Sequence, residues 1–431
     1  MTAHIDATVR AAALSPLVVL LLASCQGPPR TLLNACVEDW PDEREPFTPA
    51  PAIDEVTPEI LWSQRITGTP PNDTLILAQD HVLLGASSRL YSVERATGAV
   101  SRVTSGGRES ITTAAIDDQG QRYFAGFSMY SVTPDGEYRY IVPLSPDPLQ
   151  PVRARGRMIQ DPDGVLFFGT DDGYLYAVEP SDGSVRWKRQ ASKSGERRPI
   201  VVGGIGDALL AFSPDGTWRP QLWNRHTGEP MAWFTSEDGE RHGAMIGATL
   251  GIVTQRFEDR GGSYPWMHIS VLDRCSKERF SVPATRPQWP VLIGPGDHLY
   301  VVERDDIPGS DTFVSVYAPD GMRAAGPTRM PIPWAIGADG TIYAVSCDSE
   351  GVEGPSRLHA YSADLEERWM LPLGDACPMS GPVIDDSGRL FFAWYRDRGT
   401  EIVAVQTPSP GLARTSWATR RGDERATGWV Q

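Results

Sequence analysis

The residues of this chain that could carry chemistry are five cysteines, seven histidines and a few clusters of acids. The histidines (His4, His81, His226, His242, His268, His298 and His359) never fall at metal-ligand spacing. No His-Glu-x-x-His pattern, Gly-x-Ser-x-Gly elbow or phosphate-cradling glycine loop occurs. Asp117-Asp118, Asp305-Asp306 and Asp385-Asp386 offer paired carboxylates for acid–base work. Neighbouring residues on a strand point to opposite faces, so such pairs are read as solvated turns. Asp161-Pro162-Asp163-Gly164 and Asp171-Asp172-Gly173 gather acids as a calcium site would. A twelve-residue loop closed by glutamate is missing, and hairpin chemistry explains both better, with glycine supplying positive φ and aspartate capping the turn. The sequence thus assigns no catalytic, cofactor-binding or metal-binding residue.

The elements that must position these side chains are strands. Residues 165–168 form a short apolar run fit for a buried strand, and 174–178 and 185–187 begin two more. Asp172-Gly173 is expected as a two-residue turn and Asp182-Gly183 as another. A meander this small cannot bury both faces alone. Copies of it recur at 82–103, 121–140, 208–233, 251–280, 297–322, 340–369 and 389–405, making eight units with the reference stretch. With Trp62 and Trp417 as outer landmarks, the period is about 44 residues, which fits the blade of a propeller. The expected fold is all-β: an eight-bladed β-propeller of four-stranded antiparallel blades. Leu61-Trp62 is the tail of a repeat without its beginning, so an N-terminal strand is expected to complete blade eight and close the ring. Longer insertions fall at 256–266, 304–311 and 347–355, where a propeller face would offer loops to partners.

The stretch GTDDGYLYAVEPSDGSVRW, residues 169–187, resembles the repeat of the pyrroloquinoline-quinone-like β-propellers, roughly G-T-x-D-G-x-L-Y-A-L-D-x-x-T-G-x-x-x-W. Gly169, Asp172, Gly173 and Trp187 match its structural positions, and Trp62 matches the aromatic of the closing strand. SRLYSVERATGAVSRV carries Arg102 in the tryptophan position, LWNRHTGEPMAW has one residue extra, and SVLDRCSKERF has lost the turn glycine. The resemblance covers roughly residues 58–431 and specifies fold more than function. Quinoprotein dehydrogenases of this family hold the cofactor over a ring of two adjacent half-cystines beside calcium and a catalytic aspartate. This chain has no Cys-Cys dipeptide, so the repeat does not imply the quinone. Residues 412–428 resemble a tail of the same family, with Thr415, Ala418 and Arg420 departing from its pattern, and here docking and disorder stay open.

The first residues are read as a processing signal. Residues 11–23 are an apolar segment of thirteen residues, too short to span a bilayer. It ends in Leu22-Ala23-Ser24-Cys25, which resembles a bacterial lipobox and implies acylation of Cys25 after removal of 1–24. Residues 25–57 are Pro-rich and acidic and read as a tether. The propeller then takes 58–417, and 418–431 is a C-terminal tail. Gln26 after the cysteine points by resemblance to the outer membrane. In an exported chain the remaining cysteines, Cys36, Cys275, Cys347 and Cys377, suit up to two disulfides. A Cys347–Cys377 bridge is expected, because one leaves a strand of blade seven and the other enters blade eight.

A net charge of −15 argues against nucleic acid and against electrostatic attachment to anionic lipid, which leaves the acyl chains as the membrane contact. The functional expectation is a non-catalytic, membrane-tethered propeller that binds or scaffolds protein partners in the bacterial cell envelope. In repeat and lipidation the chain resembles the propeller lipoproteins of the outer-membrane β-barrel assembly machinery, which bind partners through loops. The alternatives are a quinoprotein-like or other envelope enzyme, and a sugar- or peptide-binding surface lipoprotein using Trp266, Trp289, Trp334 and Trp394.

Overall fold

The computed structural model describes residues 49–53, 56–67, 71–413 and 429–430, apart from the connections 106–110, 148, 192–199, 214–218, 234–240, 248–250, 259–265, 274–276, 285–290, 305–311, 348–352, 377–379 and 397–398. Eight antiparallel sheets form a ring. Blades 1 to 7 span residues 71–105, 113–143, 154–190, 200–233, 241–284, 292–329 and 332–376, each four strands in sequence order from the channel outward. Blade 8 takes three strands from one end of the chain, Val383–Ile384, Arg389–Arg396 and Gly399–Gln406, and its outer strand from the other. That outer strand is Glu59–Thr67, with Glu59 opposite Gln406, Ser63 opposite Val403 and Thr67 opposite Thr400. The orphan half-repeat therefore closes the ring.

Blade 3 shows why these sequences make these strands. Leu166–Thr170 is buried along its whole length because both of its faces are walls of the core. Phe167 joins a cluster with Val201, Leu209 and Trp223 of blade 4. Phe168 points the other way, into a cluster with Tyr123 and Ala125 of blade 2. Alternation by two serves both walls, so the strand reads as an unbroken apolar run. The turn that follows is one residue longer than expected. Gly169 pairs with Leu175, and Gly173 donates its N–H to Thr170 at 3.1 Å, so residues 171–173 form the loop. Only Gly173 of this loop takes positive φ, at 89°, while Asp172 accepts a hydrogen bond from the Thr170 hydroxyl. A type I turn followed by a left-handed glycine accounts for both residues.

Consecutive antiparallel strands fix which loops share a face. Connections between first and second strands, and between third and fourth, emerge at one face, here called lower. Connections between second and third strands, and between blades, emerge at the upper face. The described chain ends gather at the lower face. Ala50 donates to the carbonyl of Ala338 and Ile53 to that of Pro408, both at 2.7 Å. Residues 411–413 run along the inner strand of blade 7, where Leu412 bridges Gly337 and Ala413 donates to Ile336 at 2.9 Å. Trp429–Val430 then adds a fifth, parallel strand to the channel edge of blade 4, opposite Gly204 and Ile205.

Candidate functional site

The loops are held by joints between blades. The Trp187 indole N–H donates to the carbonyl of Arg225, in the outer turn of blade 4, at 2.8 Å. The ring lies on Gly228 of that turn, where a Cβ would come within 2.6 Å of Trp187 Cδ2 at a φ of +67°. Only glycine meets both demands. The Arg225 side chain reaches back to blade 3 and bonds Asp161 at 2.7 Å and Asp163 at 2.9 Å, with Asp207 of its own blade at 3.4 Å. The Asp161 side chain is fully buried, and its second oxygen accepts from the N–H of Val165 at 2.8 Å. His226 also approaches Asp207, at 3.0 Å, and with Arg225 holds that carboxyl below the usual range against its partial burial.

The same joint recurs across the ring closure. The Trp62 N–H donates to the carbonyl of Arg95 at 3.1 Å, and a Cβ on Gly98 would lie 2.6 Å from its ring. Arg95 reaches Asp385 at 3.3 Å and Asp386 at 3.5 Å. Asp385 is buried and accepts from the N–H groups of Ser387 and Arg389, so the reading of this pair as a solvated turn holds for Asp386 alone. Tyr140 on Gly183 and Phe280 on Gly321 fill the aromatic position elsewhere, each ring within 2.7 Å of the Cβ that its glycine lacks. The glycine and the aromatic of one repeat therefore serve different neighbours.

These joints hold rigid blades beneath the upper face, and that face carries the three insertions. Each is a connection between second and third strands: Gly251–Glu258 to Trp266–Leu272 in blade 5, Leu299–Arg304 to Thr312–Tyr317 in blade 6, and Ile342–Cys347 to Glu353–Tyr361 in blade 7. They stand on three consecutive blades, at the face opposite the described chain ends. On the same face, the connection from blade 2 to blade 3 exposes Leu149 to 88%.

Cys25, Cys36, Cys275 and Cys377 lie outside the described residues. Cys347 ends the second strand of blade 7, its side chain also outside them, and residue 377 follows the fourth strand of the same blade. Among the four tryptophans considered for sugar stacking, Trp394 is buried at 4% exposure and donates its N–H to Glu401 at 2.6 Å, so it offers no platform. Trp334 is partly buried and packed against the core, while Trp289 and the side chain of Trp266 lie outside the described residues. No group of three or more His, Cys, Asp or Glu side chains fit to hold a metal occurs among the described residues. With no vicinal cysteines in the chain, the residues present do not fit a quinone held as in the dehydrogenases.

A network in blade 7 escaped sequence reading. Ser346 Oγ lies 2.9 Å from His359 Nε2, His359 Nδ1 lies 3.1 Å from Glu367 Oε2, and Tyr361 donates its hydroxyl to the same oxygen at 3.1 Å. Its members sit on three strands, and only the register brings them together.

No family model and no curated protein matches the chain. Solved structures do. The chain is similar to BamB from Moraxella catarrhalis, at 13% identity and a TM-score of 0.51, over 81% of this chain and 100% of that one. It is similar to the quinohemoprotein alcohol dehydrogenase from Comamonas testosteroni, at 11% identity and a TM-score of 0.53, over 81% of this chain and 76% of that one. It is also similar to the computationally designed Ika8 protein, at 13% identity and a TM-score of 0.56, over 80% and 99%. At such identities the likeness is one of fold: this chain is an eight-bladed β-propeller.

Proposed function

We propose that this chain is a lipid-anchored propeller of the bacterial cell envelope that binds protein partners through its upper face. The observation that carries the reading is the distribution of insertions. Four consecutive blades, 4 to 7, lengthen the same connection at one face, while residues 49–53 and 411–413 meet at the other. A tether entering from below turns the upper face away from the anchor. Loops on a rigid ring are where recognition is built without cost to the core. The likeness to BamB, which spans all of that protein, supports a binding role. The likeness to a quinohemoprotein dehydrogenase does not extend to residues that fit the quinone.

Anchoring rests on Leu22-Ala23-Ser24-Cys25, with Cys25 as the acylated residue, the outer membrane as its site and the acyl chains as the membrane contact. Labelled fatty acid should enter the wild-type protein and not a Cys25→Ala variant. Continued labelling of the variant would remove the anchor from the reading. For the partner face, photo-crosslinking residues placed singly at 307 and 350 should capture a defined envelope protein in intact cells. The same residue placed at exposed Glu137, in a lower-face turn, should capture much less. Equal capture from both faces would overturn the assignment of the upper face.

A further inference from the structure

The network in blade 7 has an order that protein binding does not require. Ser346 lies next to the end of Ile342–Cys347, His359 lies near the end of Glu353–Tyr361, and Glu367 opens Glu367–Ala376. His359 stands opposite Ala344, and Tyr361 stands opposite both Ile342 and Glu367. Residues facing each other across a ladder share a face, as do residues two apart on one strand, so all these side chains project to the same side.

The carboxylate sets the proton positions. An ionised Glu367 can only accept, so His359 Nδ1 must donate to it across 3.1 Å. The neutral ring then presents Nε2 as an acceptor, and the Ser346 hydroxyl donates to it across 2.9 Å. Tyr361 holds the same carboxylate oxygen from a second direction, and its ring stacks on the imidazole at 6.1 Å. His359 is buried while Ser346 is partly exposed, and the upper-face insertion of blade 7 begins two residues beyond Ser346. Satisfying a buried histidine requires a partner at each nitrogen and nothing more. Here the partly exposed hydroxyl is on Nε2 and the carboxylate, itself exposed, is on Nδ1, which is the order that activates a serine. Arg357 stands directly opposite Ser346 in the ladder, which puts a positive charge on the nucleophile's face.

We propose that Ser346, His359 and Glu367 form a nucleophilic centre that takes acyl groups from carboxylic esters at the upper face of blade 7. Ser346 Oγ attacks the ester carbonyl carbon as its proton passes to His359 Nε2. The bond from carbonyl carbon to alcohol oxygen then breaks, and the imidazolium returns that proton to the departing alcohol. Water, deprotonated by the same nitrogen, cleaves the acyl-serine to a carboxylic acid and restores the hydroxyl. Glu367 acts through His359 and is a positioning residue. The inference stands independently of the partner-binding reading and amends the expectation of a chain without catalytic residues.

The test treats the full chain with a fluorophosphonate and maps the labelled peptide. One phosphonate on Ser346 is expected, absent in Ser346→Ala and slowed about tenfold or more in His359→Gln. Hydrolysis of p-nitrophenyl butyrate should fall roughly a hundredfold or more in Ser346→Ala. Glu367→Gln should displace the pH–rate profile, which a merely structural role would not do. Thermal unfolding of Ser346→Ala and Glu367→Gln should match the wild type, separating lost chemistry from lost fold. A folded wild type that leaves Ser346 unlabelled, or hydrolysis that persists in Ser346→Ala, would overturn the proposal.

Discussion

The joints at blades 3 and 4 and at blades 8 and 1 use the same parts with different ancestry in the chain. In the first, Asp161 and Trp187 belong to one continuous repeat. In the second, Asp385 and Trp62 come from opposite ends of the propeller, yet each indole donates to an arginine carbonyl and lies on a glycine of the next blade. Geometry at a joint is thus independent of covalent continuity within the blade. What continuity supplies is a short loop, and its replacement by a ring-sized loop is an entropic cost that grows only slowly with length. The ring closes because the noncovalent joint, repeated, outweighs that cost.

The largest effect should come from removing the closing strand. Deleting 59–67 takes away the whole ladder with Gly399–Gln406 and the Trp62 joint, and the melting transition should broaden and fall steeply. Deleting 26–48 should leave it nearly unchanged, because hydrogen bonds to the propeller from this end of the chain begin at Ala50 among the described residues. The point variant Trp62→Ala should cost about 3–5 kcal/mol in urea unfolding. Equal transitions for the two truncations would mean that the ring is held without its closing strand.

The two arginines differ in what they leave behind. Arg225→Ala strands the fully buried carboxylate of Asp161, which keeps the Val165 N–H at 2.8 Å. A loss of about 3–5 kcal/mol follows from an uncompensated buried charge. Asp385 keeps the N–H groups of Ser387 and Arg389 and the Ser387 hydroxyl at 2.7 Å. Arg95→Ala should therefore cost less, about 1–3 kcal/mol. Urea unfolding of both variants checks the ranking, and a larger loss for Arg95→Ala would show that ring closure amplifies its joint.

How much of this was legible depends on the distance over which a residue acts. Strand alternation and the glycine-to-tryptophan spacing are local, so eight blades could be counted from 82–103 and its copies, and the orphan Leu61-Trp62 announced closure. Which ring sits on which glycine was not legible, because Trp187 and Gly183 of one repeat face opposite neighbours. Nor could the burial of Asp385 and Trp394 be read, since an acid in a turn and an aromatic on a strand look the same whether covered or open. Ser346 and His359 are 13 residues apart at no motif spacing, and only the pairing of Ala344 with His359 brings them together. Pairs of residues that neighbouring strands would bring together are the signal that could have found them.

A third comparison isolates the aromatic contact within the joint. Gly228→Ala forces both a left-handed alanine and a Cβ at 2.6 Å from the Trp187 ring, whereas Gly164→Ala at φ +87° meets nothing nearer than 3.6 Å. The backbone strain is common to both, at about 1–2 kcal/mol. The clash adds about 1–3 kcal/mol at Gly228 alone. Equal losses in urea unfolding would mean that the ring yields freely and that the joint rests on the arginine.

The smallest effect concerns the joint of blades 2 and 3, where the aromatic can ionise. Tyr140 lies on Gly183, and burial pushes its hydroxyl up to about 12. In the unfolded chain it loses its proton near the ordinary tyrosine value of about 10. The folded state thus holds the proton more tightly, and the stability this represents is complete below pH of about 10 and declines as pH rises toward 12. Because the ring is partly exposed, the decline attributable to this one group is about 1–2 kcal/mol after allowing for solvent screening. Tyr140→Phe keeps the ring on the glycine and removes the titration. Its stability should therefore track the wild type at neutral pH and fall less steeply across the alkaline range. Tyr123, Tyr300, Tyr343 and Tyr361 are also raised by burial, so the wild-type slope should be reduced and not abolished. The joints built on Trp187 and Trp62 carry no such group, and their phenylalanine variants should leave the alkaline slope unchanged. A Tyr140→Phe slope identical to the wild type would place that hydroxyl in water and the ring off its glycine.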